Sequence, residues 1–227
     1  MGLPATVLHE NDFALLQPQG TAASLIPPNP TLESLKQAAA ACRACPVWER
    51  ATHMVFGEGP ADARIVMVGE QPGYNEDREG RAFIGPAGRV FDRALRQADL
   101  DRSQVYISGV VKHFKWAGKG RLRLHKKPNA REIGACLPWL EAEIDLIRPD
   151  VLVALGATAA QALFGPEVRV RRDRGRLLPS RHAPKALITV HPAAVLRTFS
   201  DEERRQEMER LIEDLRTARS LLTGGNE

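Results

Sequence analysis

The sequence predicts an α/β protein, a three-layer sandwich built around a central four-stranded parallel sheet. Four short runs rich in Val, Ile and Leu predict the strands, at residues 64–69, 105–111, 151–155 and 186–190. Continuous apolar runs are typical of strands buried on both faces, and the stretches between them have helical patterning. The 227 residues are enough for one domain with a sizeable core.

Capping and periodicity signals place the helices of this domain. Residues 1–30 are rich in proline and lack sustained periodicity, so we interpret them as an N-terminal extension preceding a single domain at 31–227. A capping residue or a first-turn proline, followed by apolar residues three or four apart, marks each helix start. These signals predict helices after Thr31 and at 86–98, 129–147, 157–164 and 201–222.

Composition excludes several classes of protein. Hydrophobic residues make up 43% and charged residues 26% of the chain, which is too apolar for a disordered protein. The longest apolar stretch, 151–165, is too short to cross a bilayer, and no Lys or Arg precedes Lys36, so we expect neither a membrane span nor a secretory signal. Three cysteines cannot form a closed disulfide framework, and we therefore expect a reducing, cytoplasmic location.

The positive charge is concentrated in one segment. The chain has 32 basic and 28 acidic residues, but residues 102–131 alone contain nine Lys or Arg and no Asp or Glu. A local basic patch on an otherwise acidic protein favours binding of a polyanion, because each neutralised phosphate releases a counterion. A solvated charged loop is the alternative, although Phe114 and Trp116 within the segment favour nucleic acid.

Unusual polar loops follow three of the four predicted strands. The first strand leads into residues 69–77 and then 83–88, the second into 112–128, and the fourth into 191–197. Ligands of parallel α/β sheets bind beyond the carboxyl ends of the strands, so these three loops are expected to meet there. Taken singly, a histidine at a strand end is more often structural than catalytic.

The motifs in these loops resemble those of a known enzyme family. Gly-Glu-Gln-Pro-Gly at 69–73, Gly-x-x-Phe-Ile-Gly-Pro-Ala-Gly at 80–88 and His-Pro-x-x-x-Leu-Arg at 191–197 resemble the iron–sulfur uracil-DNA glycosylases. Gln71, the Lys-His-Phe-Lys segment at 112–115 and the Arg-x-His-Lys loop at 123–126 are similar to the UdgX branch in particular. Members of that branch bond covalently to DNA through a loop histidine after uracil leaves.

The resemblance implies a uracil-DNA glycosylase fold and assigns the catalytic roles. His125 would be the nucleophile, Glu70 the carboxylate beside the sugar, and His191 the group that stabilises the departing uracil anion. These residue types suit the reaction, because cleavage of the glycosidic bond creates positive charge on the sugar and negative charge on the base. A base inside a duplex must also be flipped out before it can react.

The resemblance assigns further residues to substrate and DNA. The implied substrate-binding residues, with Phe83 stacking on the flipped base, are Gln71, Gly73, Tyr74, Phe83, Gly109 and Arg123. The implied DNA-binding residues are Lys112, Lys126, Leu196 and Arg197. Gly109 stands where the family usually has an Asn that contacts the Watson–Crick edge of uracil, and it offers no side-chain amide.

Cysteine spacing predicts a metal centre. Cys42 and Cys45 form a Cys-x-x-Cys pair, and Cys136 lies near the start of a predicted helix, although Cys136 alone would also suit the core. The resemblance supplies His113 as the fourth ligand and implies a structural 4Fe–4S cluster. Three thiolates and one imidazole could equally hold zinc, and spacing alone does not decide between the two.

We therefore expect a uracil-DNA glycosylase that becomes covalently linked to its product. Its substrate would be uracil in single-stranded or accessible DNA, and we expect a monomer, in the cytoplasm of a bacterial-type cell, acting at the nucleoid without membrane contact. One alternative is a turnover glycosylase in which Gly109 admits a different damaged base. Another is an inactive, metal-containing DNA-binding module, which would bind DNA in a salt-sensitive manner without releasing a base.

Overall fold

The computed structural model describes residues 20–119 and 122–223 and contains two sheets in that part of the chain. The strands, in chain order, are β1 (Ile65–Gly69), β2 (Val105–Gly109), β3 (Trp116–Ala117), β4 (Leu124–His125), β5 (Val151–Leu155), β6 (Leu177–Leu178) and β7 (Lys185–Thr189). The α-helices are α1 (Leu32–Ala40), α2 (Tyr74–Glu79), α3 (Pro86–Gln97), α4 (Ala130–Ile147), α5 (Ala157–Phe164), α6 (Val170–Asp173), α7 (Pro192–Leu196) and α8 (Asp201–Thr223).

The main sheet confirms the predicted parallel arrangement and adds one strand to it. Its order is β2-β1-β5-β7-β6, with β2, β1, β5 and β7 parallel and β6 antiparallel at the edge. A two-residue strand such as β6 is too short to show alternation, so the sequence gives no sign of it. The predicted basic loop also differs, because β3 and β4 pair within it as an antiparallel hairpin.

Side chains of the central strands alternate between two cores, which produces the three layers. Val66 and Val68 of β1 pack with residues of α1, α4 and α5 on one face. Ile65 and Met67 pack on the other face with residues of α3, α7 and α8. Every residue of β1 and β5 is buried, as the continuous apolar runs predict.

Helix caps form where the sequence predicts them. Thr31 accepts a hydrogen bond from the backbone of Ser34, and Asn129 accepts one from the backbone of Glu132, each within a capping box. The predicted extension at residues 1–30 lies largely outside the described residues. Its described end includes a 3₁₀ turn at Ala22–Leu25, in which Ala22 is fully buried in the core. Among the described helices, none is both long and apolar enough to cross a membrane.

Candidate active site and metal centre

The three polar loops meet at the carboxyl end of the parallel sheet around one cavity of about 650 Å³. The predicted site residues on its wall are Glu70, Gln71, Gly73, Tyr74, Phe83, Gly109, His125, His191, Leu196 and Arg197. The cavity therefore brings together all three predicted catalytic residues, as expected for ligand sites of parallel sheets.

Hydrogen bonds to one carboxylate connect the loop after β1 to the loop that carries Phe83. The carboxylate of Glu76, which is buried, accepts hydrogen bonds from the backbone N–H of Gly73 at 3.1 Å and of Gly85 at 2.7 Å. Gly69 leaves room for the Phe83 ring, because a Cβ at Gly69 would lie 2.8 Å from Phe83 Cζ. Phe83 itself has a φ of +53°, a left-handed conformation that is strained for an aromatic residue and typical of functional sites.

His125 faces two neighbours with opposite demands on its proton. Its Nε2 lies 2.9 Å from the amide nitrogen of Gln71 and 3.2 Å from Oε1 of Glu70. An amide nitrogen only donates, so the Gln71 contact favours an unprotonated Nε2, whereas the Glu70 contact favours a protonated one. The unprotonated form has the free electron pair that a nucleophile needs, and the side chain is 45% exposed toward the cavity mouth.

Gln71 also fixes the hairpin that carries His125. Its amide nitrogen contacts the carbonyl oxygens of Lys115 at 3.2 Å and Lys126 at 3.1 Å, and its oxygen accepts from the backbone N–H of Lys115. The side chain therefore joins the loop after β1 to both strands of the hairpin. Gln71, which the resemblance assigns to the substrate, thus uses its side-chain amide to contact the hairpin and His125.

Arg123 is engaged within the protein. Its guanidinium donates to Asp77 and to Thr52, both at 2.9 Å, and lies 4.9 Å from the centre of the Trp116 ring. Arg50 lies 3.9 Å from the centre of the same ring, so Trp116 contacts two guanidinium groups. These contacts hold the hairpin against the loop at residues 50–52 and against α2.

Glu70 is held as a carboxylate by hydrogen bonds. Burial raises its pKa, but hydrogen bonds from His125 and from the hydroxyl of Thr158 outweigh that effect and leave the pKa below its usual value. Thr158 lies in the first turn of α5 and is buried. Because Thr158 donates to Oε2, Oε1 remains directed at His125.

His191 is fixed as a neutral hydrogen-bond donor. Its Nδ1 accepts from the backbone N–H of Ala193 at 3.1 Å, which places the ring proton on Nε2. Desolvation lowers the pKa of His191 to about 4, against the opposing charge of Glu70, so the ring is neutral near pH 7. The Phe83 and His191 rings lie side by side with centroids 6.0 Å apart.

The structure corrects the prediction that Lys112 contacts DNA. Its side chain is 1% exposed, and its ammonium group pairs with Glu143 at 2.5 Å and donates to Ser108 and to the carbonyl of Gly109. An ammonium group enclosed in this way cannot reach a phosphate. The position of Lys112 in a basic segment suggested an exposed side chain. Its partner Glu143 lies on α4, 31 residues away in the sequence, so local patterning does not reveal the pair.

The other predicted DNA-binding residues remain at the surface. Lys126, Leu196 and Arg197 are exposed, and the last two line the cavity. Gly109 is on the cavity wall beside Gln71, where a Cβ would lie 3.6 Å from the Gln71 Cα and 3.1 Å from the Val111 carbonyl oxygen.

The four predicted metal ligands line a second, smaller cavity. Two of the cysteine sulfurs in this cavity accept hydrogen bonds. The backbone N–H of Lys112 donates to Cys136 Sγ, and the indole Nε1–H of Trp139 donates to Cys42 Sγ, both at 3.3 Å. No three His, Cys, Asp or Glu side chains among the described residues are close enough to share a single metal ion. Cys42, Cys45, His113 and Cys136 thus line one cavity without converging on a single point.

Sequence reasoning missed three residues that organise the site. Thr158, Glu76 and Glu143 are all buried and accept or donate hydrogen bonds within the site or beneath it. A signal for Thr158 was present, because it follows β5 at the same edge of the sheet as the three polar loops. Glu76 and Glu143 lie in helices, where acidic residues usually face solvent, so nothing in the sequence indicates their burial.

Comparison with known proteins agrees with this geometry. The family model of the uracil DNA glycosylase superfamily matches residues 56–216. A type-4 uracil-DNA glycosylase of Thermotoga maritima is 38% identical over 192 residues, covering 84% of this chain and 94% of that protein. A type-4 enzyme of Sulfurisphaera tokodaii is 36% identical, with coverage of 73% and 76%, and a type-5 enzyme of Thermus thermophilus is 32% identical, with coverage of 55% and 58%. The chain belongs to the uracil DNA glycosylase superfamily.

Proposed function

We propose that this protein excises uracil from DNA and that His125 then forms a covalent bond to the remaining sugar. The observation that carries the proposal is the position of His125 Nε2, 3.2 Å from Glu70 Oε1 at the mouth of the cavity that also contains Phe83 and His191. In a glycosylase that uses water as nucleophile, this position would have to be open to solvent. Here an imidazole fills it.

The cavity supplies the groups that excision needs. A uracil flipped into it would stack on Phe83 and receive a hydrogen bond from Nε2–H of His191 on a carbonyl oxygen. A neutral donor suits this role, because negative charge develops on the base as the glycosidic bond breaks. The carboxylate of Glu70 would stabilise the positive charge that develops on the sugar at the same time.

The trapping step follows from the free electron pair of His125. As the bond between C1′ and N1 of uracil breaks, its electron pair leaves with the base, and Nε2 donates its own pair to C1′. Attack requires the tautomer that the Gln71 contact favours, in which the ring proton is on Nδ1 and Nε2 no longer donates to Glu70. The product is then an alkylated imidazolium that becomes neutral by releasing the Nδ1 proton to solvent. The uracil anion takes up a proton from solvent. Because the imidazole occupies the face from which water would attack, the adduct persists.

DNA is the partner that the surface favours. Lys126, Lys127 and Arg197 are exposed around the cavity mouth, where they would neutralise backbone phosphates. We propose single-stranded or otherwise accessible DNA as the substrate, because a flipped base then needs less unstacking and unpairing. Nothing in this reaction requires a second copy of the chain or a membrane.

The metal centre would be structural. Cys42, Cys45, His113 and Cys136 would hold a 4Fe–4S cluster, in support of which two of the sulfurs receive N–H donors, the usual environment of cluster thiolates. Such a cluster would link the chain before β1 to the segment after β2 and to α4. The residues of this chain in the uracil cavity carry out the reaction.

A denaturing gel tests the proposal. Wild-type protein incubated with a uracil-containing single strand should yield a band of protein–DNA mass that survives denaturation. His125→Ala should abolish this band, whereas His182→Ala, a histidine away from the cavity that contacts Arg181, should leave it unchanged. Release of uracil by the wild type with no shifted band would reject the trap and leave a hydrolytic glycosylase.

Gly109 supports a second candidate, a glycosylase with a different base preference. It lies on the cavity wall without a side chain to contact the edge of the base. A panel of strands containing uracil, hypoxanthine or xanthine, each at one position, distinguishes the candidates. Preferential release of uracil supports the first proposal, and preferential release of a purine supports the second.

A further inference from the structure

The Trp116 ring contacts two guanidinium groups and does not line the uracil cavity. The centre of the ring lies 3.9 Å from Cζ of Arg50 and 4.9 Å from Cζ of Arg123. Two cations at one ring repel each other, so each must be held there by further contacts. Arg123 is held by the buried carboxylate of Asp77 at 2.9 Å, and Arg50 is held by the hairpin itself. We call Arg50, Trp116 and Arg123 the Trp116 cluster.

Arg50 joins the hairpin to the segment before β1. Its guanidinium donates to the carbonyl oxygen of Gly118 at 3.0 Å and to that of Trp116 at 3.5 Å. The indole Nε1–H of Trp116 donates back to the carbonyl oxygen of Arg50 at 2.8 Å, across a separation of 66 residues in the sequence. Arg50 ends the 3₁₀ helix Pro46–Arg50, so these reciprocal contacts fix strand β3 against that helix. Within the described part of the chain, the two side chains form no other hydrogen bonds.

The position of strand β3 determines where His125 lies. Trp116 and His125 are paired residues of the antiparallel hairpin, and the backbone N–H of Lys126 donates to the carbonyl oxygen of Lys115 at 2.9 Å. A hairpin with two residues per strand is not stable by itself, so its position depends on the contacts around it. Gln71 contacts the hairpin from the loop after β1, and the Trp116 cluster joins it to the segment before β1.

We propose that Arg50 and Trp116 are positioning residues that decide whether the imidazole of His125 or a water molecule bonds to C1′ after uracil leaves. The inference rests on the proposed function, because it concerns the trapping step. Bond formation needs the reacting atoms about 3–3.5 Å apart, and a displacement of about 1 Å slows it by about a hundredfold. Contacts that hold the hairpin in place therefore favour capture by the imidazole.

Excision and capture should respond differently to a displaced hairpin. Excision uses Glu70, Phe83 and His191, which lie on the cavity wall outside the hairpin. A loosened hairpin should leave uracil release near the wild-type rate while opening C1′ to water. Water would then bond through its oxygen to C1′ and lose a proton to solvent, which gives free abasic DNA. A merely structural role for Trp116 would instead reduce release and capture together.

Trp116→Leu removes the ring from both cations while keeping an apolar side chain. With protein in excess over a uracil-containing single strand, a denaturing gel gives the ratio of adduct to free abasic strand once all uracil is released. A cation–π contact at a partly exposed site changes an equilibrium by about two- to fivefold, so the loss of two should lower this ratio by about five- to thirtyfold. The rate of uracil release should stay within about twofold of the wild-type rate.

Three further variants make the comparison specific. Trp116→Phe keeps an aromatic ring for both guanidinium groups and should recover most of the ratio. Arg50→Met should lower the ratio by less than Trp116→Leu, because Arg123 keeps its contact with the ring; Arg50 is exposed, so this variant should fold even if Trp116→Leu does not. The matched control Arg216→Met removes an exposed arginine that donates to the carbonyl oxygen of Gln97, between α8 and α3, and should give the wild-type ratio. A wild-type ratio in both Trp116→Leu and Arg50→Met, or a loss of release as large as the loss of capture, would overturn the proposal.

Hydrogen exchange tests the Trp116 cluster without DNA. In Trp116→Leu the backbone amide of Lys126, which donates across the hairpin to Lys115, should exchange about five- to thirtyfold faster than in the wild type, and in Trp116→Phe at nearly the wild-type rate. Unchanged exchange in Trp116→Leu would overturn the proposal, because the cluster would not hold the hairpin. A wild type that releases uracil without any adduct would instead reject the proposed trap, while faster exchange in Trp116→Leu would still show that the cluster positions the hairpin.

Discussion

Thr158→Val removes one hydroxyl and otherwise keeps the shape of a buried side chain. In the wild type that hydroxyl donates to Oε2 of Glu70 and helps to keep the pKa of Glu70 low. A hydrogen bond to a charged group contributes about 1.5–3 kcal/mol, so its loss in the transition state should slow uracil release by about ten- to a hundredfold. The hydroxyl also stabilises the ionised form, and without it the pKa of Glu70 rises.

The pH dependence makes this prediction specific. Glu70 acts as a carboxylate, so uracil release declines as pH falls through the pKa of Glu70, and in Thr158→Val that decline should begin at a higher pH. His125 and His191 face the same carboxylate and are unchanged in this variant. The assay is single-turnover release of uracil with protein in excess, which does not depend on adduct formation.

Thr158→Ser serves as the matched control because it keeps the hydroxyl and loses only a methyl group. In Thr158→Ser, uracil release should decline at the same pH as in the wild type when the pH is lowered. Thermal unfolding of all three proteins separates a local effect from a loss of folding. If Thr158→Val released uracil at the wild-type rate, with the wild-type decline at low pH, Thr158 would have no role in orienting Glu70. The reasoning from this hydrogen bond would then be wrong.

Variants at four further positions test other contacts. Gln71→Ala should reduce the yield of adduct more than the rate of uracil release, because it frees the hairpin that positions His125; a gel and a base-release assay on the same sample compare the two. Lys112→Met should lower the free energy of unfolding in urea by about 3–5 kcal/mol by leaving a buried carboxylate unpaired, without changing the salt dependence of DNA binding. Lys126→Ala should leave the free energy of unfolding nearly unchanged but reduce the slope of log DNA affinity against log salt concentration by about 1. An equal change of this slope in both variants would show that Lys112 contacts a phosphate. His191→Ala should slow uracil release by about 10²–10³-fold, with partial recovery in His191→Gln, which keeps an N–H donor; equal rates in the two variants would contradict hydrogen bonding to the base.

The parallel sheet was predictable because its strands carry a strong local signal. Val66, Val68 and their neighbours form apolar runs that only a sheet covered on both faces accommodates. The edge strand β6 and the hairpin β3–β4 have two residues per strand, so their existence depends on tertiary partners that local patterning does not reveal. The hairpin matters for function, since its alternation decides that His125 faces Glu70.

Site residues were predictable where a motif or a strand end marked them. Glu70 and His191 follow strands directly, and the structure places both on the cavity wall. The ion pair between Lys112 and Glu143 was not predictable, because a lysine in a basic segment and a glutamate in a helix both suggest exposure. Only the packing of α4 against the sheet brings these two residues together and buries them.

The identity of the residue that carries the sugar tests the trap most directly. After reaction with a uracil-containing strand, nuclease and protease digestion followed by tandem mass spectrometry should find the deoxyribose remnant on His125, with uracil absent from the adduct. A remnant on another residue, or peptides with His125 unmodified after complete release of uracil, would contradict covalent capture by this imidazole.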